Sequence, residues 1–185
     1  MSLPSSQRYT RTAMLLHWVL AAAILGTFLV GLYVSDLPFS LRKLQLINWH
    51  KWAGVTILAL SVLRLLWRVA HRPPGLPAAI SQAMPGWQKA AYHATHHLLY
   101  LLFFVVPVAG WAYSSAKGFP VVWFGVLRLP DLVAKDDALA GVLWAVHEWS
   151  AFALIGLATL HVAAALKHHV VDRDGLLERM LPDRG

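Results

Sequence analysis

Three stretches of this chain, 13–35, 90–116 and 149–166, contain no charged residue. A fourth, 52–63, lies between Lys51 and Arg64 and continues beyond it as Leu65-Leu66-Trp67. A helix crosses the hydrocarbon core of a bilayer with about 20 apolar residues, rising about 1.5 Å at each. A soluble helix keeps a polar face over such a length. With 58% of its 185 residues hydrophobic and 14% charged, the chain also lacks the polar surface that a soluble domain of this size needs. The reading is all-α: a single domain over residues 1–185, folded as an integral membrane four-helix bundle with helices at about 13–34, 48–69, 91–114 and 142–166.

The net charge of +7 would suggest nucleic acid in a soluble protein, but its distribution fits membrane topology, and no nucleic-acid partner is expected. The N-terminal arm, the 65–90 loop with Arg64 and the C-terminal tail together carry ten basic residues: Arg8, Arg11, Arg64, Arg68, Arg72, Lys89, Lys167, Arg173, Arg179 and Arg184. The opposite side carries six, Arg42, Lys43, Lys51, Lys117, Arg128 and Lys135, offset by Asp36, Asp131, Asp136, Asp137 and Glu148. The positive-inside rule then places both termini in the cytoplasm of a multi-pass protein surrounded by membrane lipid. Trp18, Trp49, Trp52, Trp67, Trp111, Trp144 and Trp149 stand near predicted helix ends, as an interfacial aromatic belt requires. The first apolar run is long enough to span, and no small-residue cleavage site follows a short apolar core, so a cleaved signal is not expected. With no cysteine, disulfides and thiolate-held clusters are excluded.

Ser35-Asp36-Leu37-Pro38 breaks the first helix, and Arg72-Pro73-Pro74-Gly75 stops the second. The 73–86 segment reads as a surface connection. Pro107 should kink the third helix. In the long 115–140 loop, Val121 to Leu129 is read as a short interfacial helix; in the tail, Asp172 to Met180 is read as a short amphipathic one.

The histidines carry the chemistry. An imidazole inside a membrane segment is costly without a partner, so it signals function. His147 and His161 are fourteen residues apart. On a helix that spacing returns within about 40° of the same face and climbs roughly 21 Å. His17 and His161 therefore lie at inner depth, and His50 and His147 at outer depth. Two imidazoles facing each other across a bundle suit a six-coordinate b-type haem. Zinc would gather four ligands at one point, a proton relay would place acids at intermediate depth, and interfacial histidines could simply bond to neighbours. No sequence repeat stands out. Yet His17–Gly31, His50–Arg64 and His96–Gly110 share the fourteen-residue spacing, and a glycine so placed leaves room for something flat and bulky against the backbone.

His93 and His96 share an inner-depth face and could bond a haem propionate or a quinone, or supply an alternative axial ligand to His161. His168 or His169 could line a quinone site, while His71 and His97 sit at the inner boundary. Arg64, on the His50 face, needs an anion; a propionate of the inner haem would serve, and snorkelling to lipid phosphate is the competing use.

Leu16-His17-Trp18, Trp49-His50, His93-Ala94-Thr95-His96 followed by Leu99-Tyr100-Leu101-Leu102-Phe103, His147-Glu148, and Leu160-His161 through Lys167-His168-His169 together resemble the bacterial cytochrome b561 family. The resemblance extends over nearly the whole chain, including Leu176-Leu177 and Met180-Leu181-Pro182. It implies a diheme membrane protein whose haem irons are held by His17 with His161 and by His50 with His147. It also implies an oxidoreductase: a superoxide oxidase in the family takes electrons from superoxide at the periplasmic face of the inner membrane and passes them to ubiquinone. Lys117-Gly118-Phe119-Pro120 matches a basic-glycine-x-proline run in that member. Lys51, Lys117 and Arg128 are the outer cations that could guide the superoxide anion. The alternative is a cytochrome b membrane anchor wiring a dehydrogenase or hydrogenase to the quinone pool.

Overall fold

The computed structural model describes residues 8–181. Pro182 and Arg184, and the first residues of the N-terminal arm, lie outside them. Four long helices, α1 (Arg11–Asp36), α2 (Leu41–Ala70), α4 (Gly86–Ala116) and α5 (Asp137–Lys167), are each long and apolar enough to cross a membrane. A short helix, α3 (Ala78–Ala83), interrupts the connection between α2 and α4 that reads from sequence as plain loop.

Local chemistry sets the ends. Thr10 caps α1 by accepting from the Ala13 amide, and Ser40 caps α2 through the Lys43 amide. The Asp136 carboxylate takes the Ala138 and Leu139 amides, so α5 starts at Asp137, five residues ahead of the expected 142. α4 closes at Gly118, whose φ of 74° lets the Gly118 and Phe119 amides return to the Ser115 and Ser114 carbonyls.

Two expectations are corrected. The 121–129 segment is a hairpin, not a helix: β1 (Val122–Trp123) pairs antiparallel with β2 (Leu127–Arg128). Phe124 and Gly125 both take positive φ, 50° and 73°, the geometry of a tight hairpin turn. The 172–180 segment is likewise no continuous helix. A wide π turn over His168–Asp172 ends at Arg173 in the left-handed region, and one 3-10 turn, Glu178–Met180, follows.

α1 packs on α2 and α4 on α5, giving two antiparallel pairs joined along α2 and α4. Across from that seam, α1 and α5 meet through rings, with Phe28 and Phe152 edge to face at 5.6 Å. The end of the bundle that carries both termini is tied by the tail. Tyr9 donates its amide to Arg179, and Trp18 donates its indole N–H to Met180. The buried Arg179 guanidinium reaches the Pro74 and Gly75 carbonyls at 2.9 and 2.8 Å. At the opposite, loop end, the indoles of Trp52, Trp111 and Trp123 donate to Val122, Pro130 and Thr56. These tryptophans pin the hairpin across the helix ends as well as marking an interface.

Candidate functional site

The long helices build two ring clusters, and α2 and α5 contribute to both. At the terminal end, His17 of α1, Arg64 of α2, His96 of α4 and His161 of α5 come together. The His17 and His161 rings are 6.2 Å apart at 80°, and His96 stands 5.2 Å from His161 at 88°. Arg64 places Nη1 2.9 Å from Nδ1 of His17, donates from Nε to the Tyr100 hydroxyl at 3.2 Å and lies over the Tyr100 ring. At the loop end, His50 of α2 faces His147 of α5 at 6.0 Å and 86°.

The hydrogen bonds say which nitrogen is available. Nδ1 of His50 lies 3.1 Å from the Thr27 carbonyl, and Nδ1 of His147 lies 2.9 Å from the Val106 carbonyl. A carbonyl can only accept, so Nδ1 carries the proton and the Nε2 lone pair is left for a metal. In the terminal cluster His96 is fixed the same way, by the Tyr92 carbonyl at 2.7 Å.

These groups fit haem. Two metal–imidazole bonds of about 2 Å plus the half-widths of two rings give a centroid separation of roughly 6 Å, matching both His17–His161 and His50–His147 and exceeding His96–His161. Gly54, one turn along α2 from His50, opens on empty space where a Cβ would stand, leaving room for a flat group. Three histidines around one point would also suit zinc, but Arg64 puts a fixed positive charge in that cluster. Among the described residues Arg64 forms no ion pair, and a group with anionic arms, such as the propionates of haem, would suit it.

A sequence profile of the prokaryotic cytochrome b561 family matches residues 8–183. Cytochrome b561 homolog 2 of Escherichia coli K12 is 34% identical, over 95% of this chain and 92% of its own length. Cytochrome b561 homolog 1 of the same organism is 26% identical over 96% and 98%. The probable superoxide oxidase CybB of Yersinia pestis is 31% identical over 73% of this chain and 74% of its own. The chain belongs to the prokaryotic cytochrome b561 family. It is therefore a b-type haem protein of membrane electron transfer, multi-pass in the bacterial inner membrane.

In this cytochrome the other expected residues separate. His93 does not join His96: it is exposed at the start of α4, against Tyr92. His168 is held in the tail, its Nδ1 2.6 Å from Asp174 and 3.0 Å from Asp172, whose same oxygen takes Lys167 at 2.7 Å. Lys117 pairs with Asp137 at 2.8 Å, which raises its pKa above the ordinary lysine value, and Arg128 lies 3.7 Å from Asp131. Lys51 reaches the Phe119 carbonyl at 3.4 Å.

Sequence reasoning missed Thr27 and Val106 as ring acceptors and Tyr100 as the partner of Arg64. It placed Gly31 and Gly110 on the right faces but for a different occupant. A Cβ on Gly31 would stand 3.0 Å from the His50 ring, and one on Gly110 would stand 2.9 Å from the His147 ring.

Proposed function

We propose that this cytochrome holds two b-type haems, on His17 with His161 and on His50 with His147, and carries electrons from superoxide at the periplasmic face to ubiquinone. The observation that carries the reading is the pair of histidine couples, one at each end of the bundle, with ring separations of 6.2 and 6.0 Å. Bound haem supplies a reversible one-electron couple. His17 with His161 and His50 with His147 would hold each haem with two imidazoles, leaving no open coordination site, so the chemistry supplied would be outer-sphere electron transfer.

The chain's own residues set the direction of approach. With both termini in the cytoplasm, as the charge distribution supports, the His50–His147 end faces the periplasm. Lys51, Lys117 and Arg128 stand there. Asp137 and Asp131 neutralise the last two, so Lys51 contributes most of the attraction for a small anion. At the other end Arg64 provides the cation for a propionate. His96, 5.2 Å from His161, keeps its Nε2 lone pair for a cofactor or quinone contact, and His93 and His168 lie at the cytoplasmic boundary that a quinone headgroup reaches. The reaction balances as two superoxide anions losing one electron each to leave as dioxygen, while ubiquinone takes those two electrons and two protons to become ubiquinol. The superoxide oxidase name carried by the Yersinia relative supports the choice of donor.

The test is stopped-flow mixing of the purified single chain with superoxide and a soluble ubiquinone analogue. Haem reduction faster than the uncatalysed loss of superoxide, with dioxygen and quinol released at two to one, is expected. Dismutation at the control rate with haem left oxidised would remove superoxide as donor. Co-purification with a dehydrogenase or hydrogenase would point to the anchor role instead.

A further inference from the structure

The seats of His50 and His147 are built alike. On α1, the Thr27 carbonyl holds the ring nitrogen of His50, and Gly31, one turn later, lies against the ring. On α4, the Val106 carbonyl holds His147, and Gly110, one turn later, lies against that ring. The register is shared along both helix pairs. His17, Thr27 and Gly31 precede His96, Val106 and Gly110 by 79 positions each, and His50 and Arg64 precede His147 and His161 by 97 each. So the loop-end site has two equivalent halves, whereas at the terminal end Arg64 stands where its counterpart is His161.

We infer that Gly31 and Gly110 are positioning residues for the loop-end centre. Each acts through a ligand ring, setting how closely the neighbouring helix carries the histidine and fixing the ring plane against the carbonyl four residues earlier. The steric margin is small. An added methyl 2.9 Å from the His147 ring is closer than side-chain carbons pack, and one 3.0 Å from the His50 ring is tighter than nearly all of them. The ring cannot retreat without lengthening its bond to the carbonyl, and outer-shell bonds of this kind hold a metal-binding histidine in orientation. Gly26 and Gly156 provide controls in the same bundle. Both are exposed in α1 and α5, and a Cβ on either meets nothing within 4 Å.

This inference rests on the two-haem reading, and the experiment separates the two. Haem per chain, low-temperature absorption and electron paramagnetic resonance are recorded for the full chain and for Gly31→Ala, Gly110→Ala, Gly26→Ala and Gly156→Ala. A native protein with fewer than two haems overturns the two-haem reading itself. With two haems in the native protein, Gly31→Ala and Gly110→Ala are each expected to shift the signal of one and the same centre and to weaken its haem retention roughly 10-fold or more. The second centre and both control variants should stay unchanged. Signals of Gly31→Ala and Gly110→Ala that match the controls, or that move different centres, overturn the inference. Should the two variants fail to assemble, Gly31→Ala is placed in a His50→Ala background, where no ring meets the methyl. Assembly equal to that of His50→Ala alone is expected, and a further loss overturns the inference.

Discussion

Nη1 of Arg64 lies 2.9 Å from Nδ1 of His17, so a guanidinium that can only donate is paired with a ring nitrogen that must accept. That arrangement places the His17 proton on Nε2, the reverse of His50 and His147, whose Nδ1 protons go to backbone carbonyls. Haem ligation through Nε2 of His17 therefore requires Arg64 to release the ring, and an anionic propionate gives the guanidinium a better partner. Of the two proposed centres, the terminal-end one would thus be the one in which a neighbour of the ligand ring moves on loading.

Arg64→Gln removes a fixed positive charge from that centre. A nearby cation favours the reduced, less positive haem, so its loss lowers the reduction potential. At an effective dielectric of about 20 and a separation of about 8 Å the interaction is roughly 2 kcal/mol before screening, which corresponds to tens of millivolts. A spectroelectrochemical titration should show one of two haem potentials falling by that order and the other unmoved. Equal shifts at both, or none, would contradict a propionate-facing Arg64.

Ligand removal distinguishes His17 from His96. His161 has both rings beside it, but only the 6.2 Å separation from His17 leaves space for an iron between them; the 5.2 Å separation from His96 is too short. His17→Ala and His161→Ala should each drop haem content from two to one per chain and remove the same spectral component. His50→Ala and His147→Ala should remove the other. His96→Ala should retain both haems with altered potential or quinone kinetics. Loss of a haem in His96→Ala with retention in His17→Ala would reverse the pairing.

Which histidine rings face one another is legible in the sequence because fourteen residues translate into nearly one helix face and a climb of about 21 Å, most of the way across the apolar core. That holds for His147 and His161, and it carries Arg64 to its cluster from His50. What could not be read depends on backbone and loop geometry. The acceptors for His50 and His147 are the carbonyls of Thr27 and Val106, a group every residue has, so no residue type announces them. Lys117 and Asp137 are twenty positions apart in sequence and become an ion pair because α4 and α5 pack antiparallel, with the Asp136 amide on the Ala116 carbonyl joining their ends. Val121 to Leu129 is apolar enough for an interfacial helix, and Phe124-Gly125 decides against it through two positive φ values.

Superoxide guidance should fall mainly on Lys51. Lys51→Ala is expected to lower the second-order rate with superoxide several-fold at low ionic strength, and the difference should shrink as salt screens the field. Replacing both members of the neutral pair, Lys117→Ala with Asp137→Asn, should have the smaller effect, since it leaves the net charge unchanged. Asp137→Asn should raise the rate by leaving Lys117 unpaired. Because Asp137 raises the pKa of Lys117, the pair keeps its charges through the neutral and mildly alkaline range. Native rates should therefore show no step from this group below the ordinary lysine range. A larger loss in that double variant than in Lys51→Ala would reassign the guiding charge.

The hairpin over the loop end should be separable from the haem sites. Trp52 donates to Val122 at 2.6 Å, and the same carbonyl also accepts from the Gly125 amide at 3.1 Å. Trp52→Phe therefore leaves that carbonyl partly satisfied and should cost about 1 kcal/mol. The ring beside Phe124, 5.5 Å away, is preserved. Gly125→Ala forces a Cβ onto a residue at φ 73°, for about 1–2 kcal/mol. Both changes fall on the same turn, so together they should open the 119–132 segment to protease in detergent while haem content stays at the native value. The indole of Trp123 on Thr56 and that of Trp111 on Pro130 remain as anchors, so the segment should loosen at its tip before it detaches. Unchanged cleavage in the double variant would assign the hold to those two indoles.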